Sequence, residues 1–438
     1  MTARFPQELL ELVVDKLASM QDIKACALAG RVLLRCARTH LFRKTRIVPP
    51  VHSSSSSDLV QERGATSTEL KQCLASRPGI ARMIQHLEIV TVGAETSFQY
   101  DEDGQYLEER QIPWIMADEH LATILPLLCS LEHIALIENA PAEWNSIGQY
   151  SLDWTALGEP LRHALTAIFA SRSLRSVHIR GLVIQSPVGL LALFSEATCL
   201  VALSLSRIHY TQHWDQRDPW PPAATWAPKI ETLRLADLDS DVTCRYFLHS
   251  QIDLSRITSF TLATENPEWR SEFVDVVACQ RPAPLTHLAL WVMRNDVSQM
   301  STWLSYAHTT GHLRSLHLFA IDLDGLMLRC TSLPLTVPSL ELIILEAMAP
   351  PSAAAWTEAL EGHSWTADLN ISTLIEVGSS RLQRFEFRLH FPAQESQCLS
   401  FAKCTTLIRH SLRGLHQAGV LYIVQSRGND KGPHDDWE

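Results

Sequence analysis

Long uninterrupted apolar stretches are scarce in this 438-residue chain. The first segment carries Glu8, Glu11 and Asp15, where a signal peptide would need a continuous apolar run. The longest apolar window, residues 190–205, is interrupted by serine, glutamate and threonine, and it is shorter than the roughly 20 residues that cross a bilayer. We therefore expect no membrane span and no export, and a location in the cytoplasm, the nucleus or both.

An excess of positive charge is also absent. Lysine and arginine number 37 against 48 aspartates and glutamates, which leaves a formal net charge of −11 and a pI near 5.9. Proteins that bind nucleic acids concentrate positive charge to neutralise phosphates and release counterions. The composition therefore predicts that nucleic acid is not a partner.

Metal-binding and catalytic motifs are missing as well. The ten cysteines include no pair at the two-residue spacing of zinc ribbons and redox motifs, so we expect reduced and mostly buried thiols. Two histidine pairs, His209/His213 and His308/His312, have the spacing of helical metal ligands but no convincing third ligand nearby. No nucleophile elbow, phosphate loop or zinc-protease motif occurs. We expect no metal, no cofactor and no catalytic residue, and hence no enzyme, although an unrecognised site on a sheet face stays an alternative.

What the chain does contain is a recurring pattern of an apolar residue, two variable residues, an apolar residue, one variable residue and an apolar residue. Five consecutive intervals between copies measure 27 to 30 residues, and the wider intervals indicate insertions. Such a period is typical of units that pair a short strand with a helix. Apolar residues three and four apart predict such helices over residues 160–171, 268–279 and 297–308. Ten copies occur, with first positions Ile84, Leu131, Leu174, Leu200, Ile230, Ile257, Leu285, Leu313, Leu340 and Leu382.

This part of the chain resembles the leucine-rich repeat family. A unit of about 28 residues cannot bury its apolar face alone, so neighbouring units must stack. The resemblance implies an α/β fold, an irregular solenoid with a curved parallel sheet. The repeats are irregular because the family's asparagine after the strand is replaced by residues such as Leu182, Ile208 and Leu238.

Three short helices are expected before the repeats. Pro6 suits a first helical position, Leu9, Leu10 and Val13 line one apolar face, and Asp22 is a plausible N-cap for the second helix. A third helix is expected over residues 30–42. So small a core is expected to leave apolar surface exposed for another protein.

Residues 5–10 (FPQELL), 26–31 (CALAGR) and 38–43 (RTHLFR) resemble the F-box family, above all its members in mushroom-forming fungi. Phe5 replaces the usual leucine, and Leu33 stands where a tryptophan is common. The resemblance implies docking on a Skp-type adaptor, with a cullin scaffold, in an SCF ubiquitin ligase. The adaptor-binding candidates that it implies are Phe5, Pro6, Leu9, Leu10, Val13, Leu28, Arg31 and Leu33.

The predicted organisation is an F-box-like module over residues 1–48, a Ser/Pro-rich linker over 49–60, a solenoid over 61–425 and a polar tail over 426–438. Strand alternation points the variable positions away from the core, where they could bind an unknown target protein. An alternative remains, in which the chain is a repeat scaffold and its N-terminal helices are only a cap. The target-binding candidates are Arg234, Thr261, Trp291, His317, Phe319, Glu346 and Arg388.

Overall fold

The computed structural model divides the chain into two compact units. Unit 1 comprises residues 1–140 and 147–200, and unit 2 comprises residues 141–146 and 201–438. The described residues are 7–17, 19–50, 64–91, 97–100, 106–109, 113–138, 152–212, 226–238, 253–263, 285–292, 312–320, 339–349, 381–391 and 400–426.

Unit 1 begins with three helices: α1 (Gln7–Asp15), α2 (Met20–Ala29) and α3 (Arg31–Arg43). The second helix starts earlier than its sequence suggests, because Ser19 rather than Asp22 is the N-cap and accepts a hydrogen bond from a backbone N–H of the first turn. The small core of the three helices consists of the buried side chains Val14, Ile23, Cys36 and Ala37.

The helix α3 leads without a break into β1 (Lys44–Ile47), a strand that the apolar pattern does not reveal. It pairs in parallel with β2 (His86–Thr91), and Arg46 Nε lies 3.0 Å from Glu88 Oε1 across this pair. The predicted helical module of residues 1–48 therefore ends inside the sheet.

The remaining elements of unit 1 continue this sheet. The order β1-β2-β5-β7 is parallel, β6 pairs in parallel with the later part of β7, and β3 and β4 form a separate antiparallel pair. Two 3₁₀ turns lie at Pro78–Arg82 and Leu125–Leu127. The elements are α4 (Ser67–Ser76), β3 (Ser97–Tyr100), β4 (Tyr106–Glu109), α5 (Trp114–Ala117), α6 (Leu121–Ile124), β5 (His133–Glu138), β6 (Leu152–Asp153), α7 (Glu159–Phe169), β7 (Ser176–Ile184) and α8 (Pro187–Ala192).

Among its described residues, unit 2 has eight parallel strands that pair in chain order. Equivalent apolar positions face one another across neighbouring strands, as in Leu233 beside Phe260 and Leu288 beside Leu316, and they form a buried row. The elements are β8 (Ala202–Tyr210), β9 (Thr232–Leu238), β10 (Ser259–Ala263), β11 (His287–Val292), β12 (Ser315–Ala320), β13 (Leu342–Met348), β14 (Arg384–His390), α9 (Phe401–Ser411), α10 (Arg413–Gln417) and β15 (Leu421–Ser426).

The structure confirms an α/β fold with parallel, in-register strands. Each of the ten apolar repeats contains or leads into one of these strands, and the helix expected over residues 160–171 is present as α7. The helices expected over 268–279 and 297–308 lie outside the described residues, as do most of the predicted linker and the tail beyond residue 426.

Candidate functional site

Large apolar side chains are exposed on the three N-terminal helices. On α1, Leu9 is 46% exposed, and Leu12 and Val13 are each 56% exposed. Their spacing of three and four residues places them on one side of the helix. Leu28 at the end of α2 is 88% exposed, and Val32 at the start of α3 is 57% exposed. We call these five exposed apolar side chains of the three helices, taken together, the docking face.

The docking face contains part of the set implied by the F-box resemblance. Its positions Leu9, Val13 and Leu28 are exposed, and so is the neighbouring Arg31. The candidates Leu10 and Leu33 are only half-buried, while Phe5 and Pro6 lie outside the described residues. Leu12 and Val32 are exposed as well, but they are not among the candidates that the resemblance implies. Leu12 could have been identified from the sequence, because it follows Leu9 by three residues and so lies on the same side of the helix.

Two contacts hold α1 against α3 with the docking face outward. The His40 ring Nε2 lies 2.6 Å from Asp15 Oδ1, and the Cys36 thiol donates to Glu11 Oε1 at 4.0 Å. Burial, reinforced by the Glu11 carboxylate, raises the pKa of the Cys36 thiol. The protonated thiol is therefore a small core group of the helix pair rather than a nucleophile.

The target-binding candidates fall into cross-strand rows of unit 2. Arg234 lies opposite Thr261 on neighbouring strands, and both are half-buried. In a second row, Trp291, Phe319, Glu346 and Arg388 occupy consecutive strands from β11 to β14. The side chain of Trp291 lies outside the described residues, and Arg388 is half-buried.

Three of these candidates are buried, which differs from the expectation that they face outward as a binding surface. Phe319 is 1% exposed, Glu346 2% and His317 8%. The ring of His390 packs edge-on against Phe319, with centroids 6.1 Å apart. Phe319 is therefore part of the packed interior and is not available as an exposed contact for a target protein.

The buried side chains form an acid–histidine cluster of His317, Glu346 and His390 on β12, β13 and β14. The His317 Nε2 lies 2.7 Å from Glu346 Oε2, and the His390 Nε2 lies 2.5 Å from Glu346 Oε1. Burial raises the pKa of Glu346, but the hydrogen bonds and charges of the two histidines outweigh burial and lower it to about 2. The carboxylate is thus ionised at neutral pH and accepts an N–H from each ring.

Two ion pairs extend this cluster along β14. Glu386, also buried, accepts from Arg388 Nε at 2.6 Å and lies 2.6 Å from Arg384 Nη2. The Arg388 guanidinium is 3.8 Å from Glu346, and Arg384 lies over the Tyr422 ring at 4.7 Å. Two guanidinium groups therefore balance the two buried carboxylates, as buried charges require.

The described side-chain hydrogen bonds of the acid–histidine cluster are made within the cluster itself. The three members of the acid–histidine cluster hydrogen-bond to one another. Among the residues with described positions, no group of three or more His, Cys, Asp or Glu side chains is arranged to hold a metal ion. Of the two histidine pairs considered above, His213 and His308 lie outside the described residues.

A stacked histidine pair joins β2 and β5 in unit 1. The rings of His86 and His133 are 4.1 Å apart and within 9° of parallel. Burial, followed by the charge that His133 would carry, lowers the pKa of His86 to about 4, and burial lowers the pKa of His133. Both rings are therefore neutral at neutral pH.

The pair predicts that acid destabilises unit 1. Between pH 6.5 and about 4 the unfolded chain protonates His86 while the folded chain does not, so the free energy of unfolding falls as pH falls through this window. Urea unfolding at pH 7 and pH 5 measures the effect, and His86→Gln is expected to reduce the difference between the two midpoints. His410→Gln, at an exposed histidine, is the matched control and should leave that difference unchanged; equal behaviour of the two variants would contradict the prediction.

Comparison with known proteins does not assign the chain to a family. The chain matches no model of a protein family, and no curated protein is significantly similar to it in sequence. In the described parts of the chain, none of the helices has the length and apolar character needed to span a bilayer.

Proposed function

We propose that this protein is a non-catalytic substrate-recognition subunit of an SCF-type ubiquitin ligase. The docking face would bind a Skp-type adaptor, which in turn binds a cullin, and the strand array of unit 2 would bind a target protein. Such a subunit needs no catalytic residue, because it acts by raising the effective concentration of the target near the transferring enzyme.

The observation that supports the proposal is the exposure of Leu9, Val13 and Leu28. Leu9 and Leu28 lie in the F-box-like blocks, and Val13 is one of the adaptor-binding candidates implied by the same resemblance. Removing an exposed leucine or valine side chain from water at an interface contributes about 1.5–3 kcal/mol. On α1, the exposure of Leu9 and Val13 contrasts with the full burial of Val14.

The experiment is a binding assay between the purified full chain and a Skp-type adaptor. Leu9→Asp with Val13→Asp places two charges on the docking face, and we expect at least a thirtyfold loss of affinity, which corresponds to about 2 kcal/mol. Leu127→Asp is the matched control, because Leu127 is an apolar side chain of unit 1 that is 53% exposed outside the docking face. It should bind as the wild type does.

A repeat scaffold with a helical cap is the second candidate. It is favoured by the direct passage of α3 into β1, which makes the helices continuous with the sheet, as a solenoid cap would be. Absence of adaptor binding by the wild-type chain would support the scaffold and overturn the ligase proposal. Binding that the double substitution leaves intact would exclude the docking face as the adaptor site.

A further inference from the structure

A cleft of about 580 Å³ lies on unit 1, separate from the docking face. It is lined by Trp154, Glu159, Pro160, Arg162, His163 and Thr166, most of them on the first two turns of α7. The cleft is shallow and largely open to solvent, although its volume is within the range of small-molecule pockets. None of the functions considered so far uses it.

One wall of the cleft is a fixed aromatic surface. The Trp154 ring is half-exposed and stacks on the buried Phe169, with centroids 6.4 Å apart and planes 25° apart. Because Phe169 is fully buried, this contact restricts the position of the indole ring beside the cleft. An aromatic side chain that lines a cleft can pack against a flat ring of a ligand.

The opposite charges of the cleft lie side by side on α7. Glu159 and Arg162 are three residues apart, which places them on the same side of the helix. In the part of the chain that the structure describes, neither side chain has an ion-pair partner, and they do not pair with each other. The cleft therefore offers one carboxylate and one guanidinium to a ligand.

The side chains around Arg162 leave polar groups of the cleft available to a ligand. The Thr166 hydroxyl donates to the Arg162 backbone carbonyl at 2.9 Å, so its lone pairs stay available as acceptors. Glu159, His163 and Thr166 are exposed, which leaves the cleft accessible from solvent.

We infer that the cleft binds a small aromatic zwitterion of the amino-acid class. The ligand carboxylate would pair with Arg162, the ammonium group with Glu159, and the aromatic ring would stack on Trp154. A guanidinium binds a carboxylate through two parallel hydrogen bonds, which gives the contact directional specificity. The inference does not depend on the proposed ligase function.

Titration of the full chain with four probes tests the inference by NMR or calorimetry. L-phenylalanine carries both charges and a ring, 3-phenylpropanoate lacks the ammonium group, 2-phenylethylamine lacks the carboxylate, and glycine lacks the ring. We expect saturable binding of L-phenylalanine with a Kd on the order of 1 mM or tighter. Each of the other three should bind at least tenfold more weakly.

Variants of the two charged residues provide the second part of the test. Arg162→Gln and Glu159→Gln should each weaken binding of L-phenylalanine at least tenfold. Arg172→Gln is the control, since Arg172 is an exposed arginine just beyond α7 that does not line the cleft, and it should bind normally. Unsaturable binding of L-phenylalanine, equal binding of the single-charge probes, or variants that bind as the wild type does would each overturn the inference.

Discussion

Replacement of Glu346 by alanine is expected to lower the free energy of unfolding of unit 2 by about 3–5 kcal/mol. The substitution leaves the two ring N–H groups of His317 and His390 without their carboxylate acceptor in a nearly closed environment. It also removes one of the two carboxylates that lie within 4.0 Å of the Arg388 guanidinium, the other being Glu386. Each unsatisfied buried donor costs about 1–3 kcal/mol, so two of them account for the size of the effect.

Urea unfolding, with hydrogen exchange of the β13 and β14 amides, measures this loss. Glu341→Ala is the matched control, because Glu341 immediately precedes β13, is half-exposed and has no described side-chain partner. It should cost less than about 1 kcal/mol. Similar losses for the two alanine variants would show that the acid–histidine cluster is not a principal source of stability.

Gly181→Ala is expected to destabilise unit 1 by roughly 3 kcal/mol. Gly181 lies within β7 at a φ of +80°, where an L side chain is strained. A Cβ at this position would lie within 3.0 Å of three side-chain atoms of Glu138, which is fully buried at the end of β5. The alanine must therefore displace a buried carboxylate in addition to adopting an unfavourable backbone conformation.

Gly189→Ala provides the comparison for this substitution. Gly189 lies inside α8, and a Cβ there would have its nearest neighbour, Ile184, at an ordinary 3.7 Å. Alanine at this position should stabilise the unit by about 0.5–1 kcal/mol, because it favours the helix over the unfolded chain. Thermal unfolding of the two variants should shift in opposite directions; a shift of Gly181→Ala toward higher temperature would contradict the argument.

Much of the strand arrangement could be predicted because its signal is local. For example, Leu233 and Leu235 are apolar residues separated by one variable residue, a pattern that predicts a strand with both side chains on its buried face. The structure has this strand, and both side chains are buried in it. The strand β1 was missed because its four residues, KTRI, have one apolar position facing the core. Its place in the sheet depends on Glu88 and the rest of β2, some forty residues away.

The docking face was predicted in part for the same reason. Helical spacing identifies Leu9 and Val13 as members of an apolar helix, but it does not say which apolar side chains face α3 and which face solvent. The structure buries Val14 and exposes Leu12, and this choice follows from the packing of α1 against α3, with its contact between Asp15 and His40.

By itself, the sequence determined the α/β class, the parallel strand repeats and the helical start, because apolar periodicity indicates which face of each element is buried. Only the tertiary structure decided that His317, Glu346 and His390 meet as a closed cluster and that Trp154, Glu159 and Arg162 share a cleft. His317 and His390 are 73 residues apart, and no local pattern specifies which polar side chains neighbouring strands bring together. That pairing depends on strand register, which is set by the packing of the whole sheet.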